Sequence, residues 1–269
     1  ENAPPKSNVA TLRVIHLDGS FGVDIPVVRE NDINFYVGGM TYDPVNDSLL
    51  ITDNTALDDG RIYSVGKNGT QSLLASDIPA IAGIAVRSTG EIFVSTSEGD
   101  NRGEVLQIDR TLGTKKVVAT GLDYGAGLAF DHSSPAGDLY VQDADATTYA
   151  GRIQRLSITD DDGELDIGSL TPVIDGMLSS AGIIFDSEGD LFSTGSGGLF
   201  SIDGQPLSEN LFDSDGDPFQ YATAIAFSGG TAPFEPFAGP DGGRMALMAN
   251  FGFNTKDTFI TIIEPLSAP

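Results

Sequence analysis

The sequence predicts an all-β fold: a β-propeller of five four-stranded blades, with a six-blade ring as the alternative. One phrase of sequence is written five times, and its copies are spaced like blades. The 33 glycines and 14 prolines are scattered along all 269 residues, as many short strands joined by tight turns require.

The phrase opens on a small residue followed by alternating apolar positions. It reads Gly39-Met40-Thr41-Tyr42-Asp43, Gly83-Ile84-Ala85-Val86, Gly127-Leu128-Ala129-Phe130-Asp131, Gly182-Ile183-Ile184-Phe185-Asp186 and Ala224-Ile225-Ala226-Phe227. The steps between openings are 44, 44, 55 and 42 residues, close to the ~40–50 residues of a propeller blade. A β-sandwich of the same strand number has no reason to repeat a phrase at near-constant spacing.

A second strand follows each opening: Leu49–Asp53, Ile92–Thr96, Leu139–Asp143, Leu191–Thr194 and Ala246–Asn250. A third follows at Gly60–Val65, Gly103–Ile108, Gly151–Leu156, Gly198–Ile202 and Thr258–Ile262. Outer fourth strands are expected at Gln71–Ser76, Lys115–Thr120, Leu170–Asp175 and Leu207–Phe212. The fifth unit ends after its third strand, while Ala10–Leu17 is an unassigned strand near the N-terminus. Pairing the two would complete the last blade, close the ring and remove its exposed edges. The expected organisation is a leader over 1–9, one propeller domain over 10–265 and a tail over 266–269.

Composition narrows the function. With 14 Lys and Arg against 39 Asp and Glu, the formal net charge is -25, which repels nucleic-acid phosphates and anionic lipid surfaces. No run approaches the roughly 20 apolar residues of a membrane span, so neither nucleic acid nor membrane insertion is expected. There are no cysteines for a disulfide, a thiolate metal site or a thiol nucleophile. The chain starts at Glu1 with a polar, proline-containing stretch, which reads as a mature N-terminus after signal cleavage. A secreted, periplasmic or extracellular location is the expectation.

The phrase Gly-Ile-Ala-Val/Phe-Asp, a glycine-containing turn, Leu-Tyr-Val-x-Asp and then Gly-Arg-Ile resembles the NHL repeat. It is also similar to the SMP-30/gluconolactonase and strictosidine-synthase-like propellers. The first resemblance implies a binding scaffold. The second implies a hydrolase with a divalent cation, usually Ca2+, held in the central channel by Glu, Asn and Asp at the mouths of the innermost strands. The matching positions here are Gly38-Gly39, Ala82-Gly83, Ala126-Gly127, Ala181-Gly182 and Thr223-Ala224. They carry no carboxylate or amide, and a hard cation needs several converging oxygens, so that ligand set does not transfer. Crowding of inner strands at the axis is the alternative reason for small residues there.

Three residues before the openings stand Tyr36, Ala80, Tyr124, Ser179 and Tyr221. Tyr36, Tyr124 and Tyr221 are ligand-binding candidates, because a phenol offers a flat apolar face and a polar tip; packing between blades is the other reading. The second strands end on Asp53, Thr96, Asp143, Gly195 and Asn250, and Asn54 follows the first. Asp53 and Asp143 are the catalytic candidates and Asn54, Thr96 and Asn250 further ligand contacts, although an Asp at such a strand end also caps its turn. Of three acidic loops, at 160–166, 186–190 and 213–217, the last offers Asp213, Asp215 and Asp217 as a surface Ca2+ site. It is not an EF-hand, whose twelfth position would be Ala224. Neither His16 nor His132 lies near a Gly-x-Ser-x-Gly elbow, so a Ser-His-Asp triad is not expected.

These residues support an exported acidic module that binds a small molecule, carbohydrate or protein at its channel mouth. The alternatives are a divalent-cation-dependent lactonase drawing on Asp53, Asn54, Asp143 and Asn250, and a structural component of an extracellular or envelope assembly.

Overall fold

The computed structural model describes residues 8–15, 21–30, 35–54, 58–131, 137–161, 164–177, 180–185, 189–195, 198–201, 222–227, 246–251 and 258–263. Every regular element among them is a strand. An N-terminal hairpin, β1 (Val9–Ile15) and β2 (Phe21–Val28), precedes five antiparallel sheets. The first sheet runs β3 (Val37–Asp43), β4 (Ser48–Asp53), β5 (Gly60–Gly66) and β6 (Gln71–Ile78). The second runs β7 (Ile81–Val86), β8 (Ile92–Thr96), β9 (Gly103–Ile108) and β10 (Lys115–Leu122). The third runs β11 (Leu128–Phe130), β12 (Leu139–Ala144), β13 (Gly151–Asp161) and β14 (Glu164–Met177). In the fourth, β15 (Ser180–Phe185), β16 (Leu191–Gly195) and β17 (Gly198–Ser201) are described. The fifth comprises β18 (Ala222–Phe227), β19 (Ala246–Phe251) and β20 (Thr258–Ile263).

The predicted first, second and third strands of each unit and the outer strands at Gln71–Ser76, Lys115–Thr120 and Leu170–Asp175 are observed, in the expected order, whereas the outer strand expected at Leu207–Phe212 lies outside the described residues. Successive sheets share cores, and strand alternation explains how. Along β8, Ile92 and Val94 join Leu50, Ile62 and Ile78 from the first sheet, while Phe93 between them joins Phe130, Leu139 and Val141 from the third. Every residue of β8 is buried as a result. A third core places Ile153 and Met177 against Ile183, Phe185 and Leu191.

Two features differ from the sequence expectation. The N-terminal strand does not pair with the last sheet among the described residues: β1 pairs with β2, from Val9 opposite Val28 to Ile15 opposite Phe21. Closing a short hairpin costs less chain entropy than joining the two ends of the sequence. Val27 also packs with Ile51, Tyr63 and Val65, seating the hairpin on the first sheet. The 55-residue step has a structural cause as well. Strands β13 and β14 continue past the blade to Asp161 opposite Glu164, so much of the first acidic segment is hairpin rather than loop. Its Leu165, Ile167 and Leu170 pack beside Val118 and Ala119 of β10 against the core shared by the second and third sheets.

Candidate functional site

Within each of the first two sheets the start of the inner strand lies opposite the end of the second, Val37 opposite Asp53 and Ile81 opposite Thr96. Inner strands of neighbouring sheets approach there too closely for side chains. A Cβ at Gly83 would overlap the carbonyl of Ala126, and one at Gly127 would lie 3.0 Å from the Cα of Gly182. The recurrent small residue is thus a steric requirement of the close approach.

A repeated hydroxyl ties these strands together. Thr52 Oγ1 accepts from the Gly39 N–H (2.7 Å) and donates to the Ala82 carbonyl of the next sheet (2.8 Å). Ser95 Oγ accepts from Gly83 N–H (3.0 Å) and donates to the Ala126 carbonyl (2.6 Å). Thr194 accepts from Gly182 N–H at 3.1 Å. In the third sheet Gln142 takes this position and donates through Nε2 to Ser193 Oγ of the fourth (2.8 Å). Each member of this series stands one residue before the strand-end position occupied by Asp53, Thr96, Asp143 and Gly195, a polar residue within an apolar strand.

The strand-end carboxylates are committed. Asp53 is fully buried and ion-paired with Arg29, whose Nη2 also bonds Asp59 Oδ2 at 2.8 Å. Its Oδ1 accepts from the backbone N–H of Tyr36 (3.2 Å). Arg61, opposite Asp53 in register, turns instead to Asp59 (2.9 Å). That hydrogen bond, then the charges of Arg61 and Arg29, holds the Asp59 carboxyl below its ordinary range. Asp143, likewise fully buried, takes Arg152 Nε at 2.7 Å and accepts from Asp123 N–H at 3.0 Å. These two catalytic candidates sit in equivalent places, each bracing a connecting loop.

In the second sheet the pair is changed. Thr96 replaces the Asp, is fully buried and accepts from the Glu104 N–H (2.8 Å). Glu104 replaces the Arg. Desolvation, with a smaller contribution from the charge of Glu98, pushes the Glu104 carboxyl up. Composition and spacing held no signal for Glu104; aligning Arg61, Glu104 and Arg152, each the second residue of a third strand, would have found it.

Of the tyrosines, Tyr36 is 65% exposed, and its carbonyl accepts from the Asn54 N–H at 2.8 Å. Asn54 Oδ1 is buried with no hydrogen-bond partner among the described residues. Tyr124 is half-buried and lies parallel to Tyr149, with ring centroids 6.3 Å apart and planes at 4°. Beneath Tyr124, the buried Asp123 ties three loops. It accepts from Asn101 N–H (2.6 Å) and Ala146 N–H (3.3 Å), and its carbonyl accepts from Gly99 N–H (2.7 Å). Asn250 lies on β19, opposite Phe259. Tyr221, Asp213, Asp215 and Asp217 lie outside the described residues.

The described residues do not fit the Ca2+ that the resemblance implies. No group of three or more His, Asp or Glu among them is arranged for a metal ion, Gly39, Gly83 and Gly127 have no room for a ligating side chain, and Asp53 and Asp143 are held by arginines. No helix among them is long and apolar enough to cross a membrane.

No protein-family model and no curated protein matches the chain. Solved structures do. A gluconolactonase from Xanthomonas campestris is 16% identical over 84% of this chain and 72% of its own, with a TM-score of 0.53. The PQQ-bound aldose sugar dehydrogenase from Streptomyces coelicolor is 18% identical over 92% and 79%, TM-score 0.55. A luciferin-regenerating enzyme is 12% identical over 97% and 93%, TM-score 0.55. Identities this low show the fold alone: the chain has a β-propeller fold like that of these proteins.

Proposed function

We propose that this protein binds a small sugar-type molecule, and hydrolyses its lactone form, on the rim where the inner strands begin. The likeness over most of the chain to a propeller named as a gluconolactonase carries the reading. A second neighbour, named as an aldose sugar dehydrogenase, supports the same ligand class. The rim suits such a ligand, because phenol rings stack on the apolar face of a sugar and carboxylates accept from its hydroxyls. In this reading the five repeat units are five blades of one ring, with the hairpin β1–β2 seated on the first.

Hydrolysis needs a group that takes a proton from water as the water oxygen bonds to the lactone carbonyl carbon, and that returns this proton to the ring oxygen as the ring C–O bond opens. Glu104 suits that role among the described residues: it stands opposite Thr120 and bonds Thr96 through its backbone N–H, at the position that Arg61 and Arg152 occupy in the sheets on either side, and its raised carboxyl makes the ionised form a stronger base. The test is acid release from glucono-δ-lactone, followed with EDTA and with added Ca2+. Release above the buffer rate that saturates with lactone is expected, and no enhancement under either condition would overturn the hydrolase.

The ion pairs of Asp53 and Asp143 favour a second reading, a binding module without turnover, because they commit both carboxylates to architecture. Saturable sugar binding in a protein that releases no acid would establish it.

A further inference from the structure

We propose that Tyr149 and Tyr124 form a stacking subsite for an uncharged sugar ring, an inference that rests on the sugar-ligand reading above and gives it a location. Tyr149 is 62% exposed, yet its backbone is left-handed, with φ of 57°. A bulky residue adopts that conformation only where its surroundings impose it. Here a dense turn does so. Asp145 Oδ1 accepts from Thr147 N–H (2.9 Å), Thr148 N–H (2.7 Å) and Thr148 Oγ1 (2.9 Å). The Tyr149 N–H donates to the Asp145 carbonyl, and the Asp145 N–H to that of Ala150, each at 2.9 Å. So many bonds hold a phenol that stays largely in solvent.

Tyr124 is fixed independently. Its neighbour Asp123 is the three-loop knot, and Gly99 backs the ring so closely that a Cβ there would lie 3.5 Å from Tyr124 Cε1. The two rings, set by separate turns, stack within 4° of parallel, so Tyr124 backs Tyr149 and the exposed face of Tyr149 is a preorganised flat platform.

The charge around the pair selects the ligand. Glu98, Asp100, Asp123 and Asp145 come from the three loops that meet there. Arg152 is engaged by Asp143 and Arg102 reaches Glu98, so the surroundings disfavour an anion. A neutral polyol matches both parts: its ring lies on the phenol face and its hydroxyls donate to carboxylates.

The chain has no tryptophan and seven tyrosines, so tyrosine fluorescence reports binding directly. The probes are methyl β-glucoside, which cannot be hydrolysed as a lactone, and glucono-δ-lactone. Tyr149→Ala and Tyr124→Ala should each weaken glucoside binding about tenfold, and Tyr149→Phe should keep it within about twofold. Because Tyr149 is exposed, its alanine variant should melt with the wild type, which keeps the test valid if Tyr124→Ala misfolds. Unchanged glucoside affinity in Tyr149→Ala, wild-type binding of neither probe, or preference for a planar cation such as benzamidinium would overturn the subsite. Lactone turnover with an unchanged KM in Tyr149→Ala would also remove it while leaving the hydrolase standing. Glucoside binding that depends on Tyr149, in a protein that turns over no lactone, would keep the subsite and remove the hydrolase.

Discussion

Arg29 and Asp53 form an ion pair in which neither side chain is exposed, although they stand 24 residues apart and Arg29 follows the N-terminal hairpin while Asp53 ends a strand of the first sheet. Asp59 shares the guanidinium. The hairpin is therefore fastened by charge at its end and by Val27 along its length.

Removing one partner of such a pair leaves the other charge buried and uncompensated. Arg29→Met should lower stability by about 3–5 kcal/mol, read as a shift in the urea midpoint. The Arg29→Met/Asp53→Asn double variant should recover part of the loss, since it buries no lone charge. A single variant as stable as the wild type would show that the pair does not hold the hairpin.

Ser95 bridges two sheets with one hydroxyl. Ser95→Ala leaves the Gly83 N–H and the Ala126 carbonyl without that partner and should cost about 1–3 kcal/mol, whereas Ser95→Thr should restore most of it. Equal losses in both variants would point to volume rather than hydrogen bonding.

At Gly83 a single methyl group has no place to go. Gly83→Ala should destabilise by about 1–3 kcal/mol or more, because relief requires two inner strands to move apart. Ala82→Gly is a useful contrast at the adjoining position, where no bulk is added. An unperturbed melting transition in Gly83→Ala would refute the close approach.

Glu104 carries a pH signature. Its proton is held more tightly folded than unfolded, so the stability contributed by the protonated form is fully present below the ordinary glutamate value and lost as pH rises through the raised one. Glu104→Gln should therefore be more stable than the wild type at neutral pH, and the difference should vanish near about pH 4. Melting curves across that range check the sign, and a variant less stable at neutral pH would contradict it.

The fold was legible in particular residues. The openings at Gly39, Gly83, Gly127 and Gly182 carried both the spacing and the reason for it, because a requirement for no side chain at one point in each unit leaves a mark that composition cannot hide. The unbroken apolar run Ile92-Phe93-Val94 is what a strand with two buried faces requires. Closure of the ring by the N-terminal strand was not legible in the same way: an unpaired edge states that a partner is needed, not which one, and among the described residues that strand pairs with Phe21–Val28.

The site was less legible. Tyr36 and Tyr124 were visible as like-numbered phenols, but Tyr149 shares no repeat position with them and became a neighbour only through the turn built on Asp145. Asp53 and Asp143 looked available because strand ends are often exposed. Nothing near Asp53 in sequence foretells Arg29.

By itself the sequence determined the spacing of the repeated openings, the strands that directly follow them and the positions where bulk is forbidden, since these follow from local periodicity and local volume. Tertiary structure alone decided which carboxylates are spent on arginines, which carboxyl stands without one and which two phenols lie parallel. Those depend on contacts between residues far apart in the chain, and pairwise distance is not written in the order of the letters.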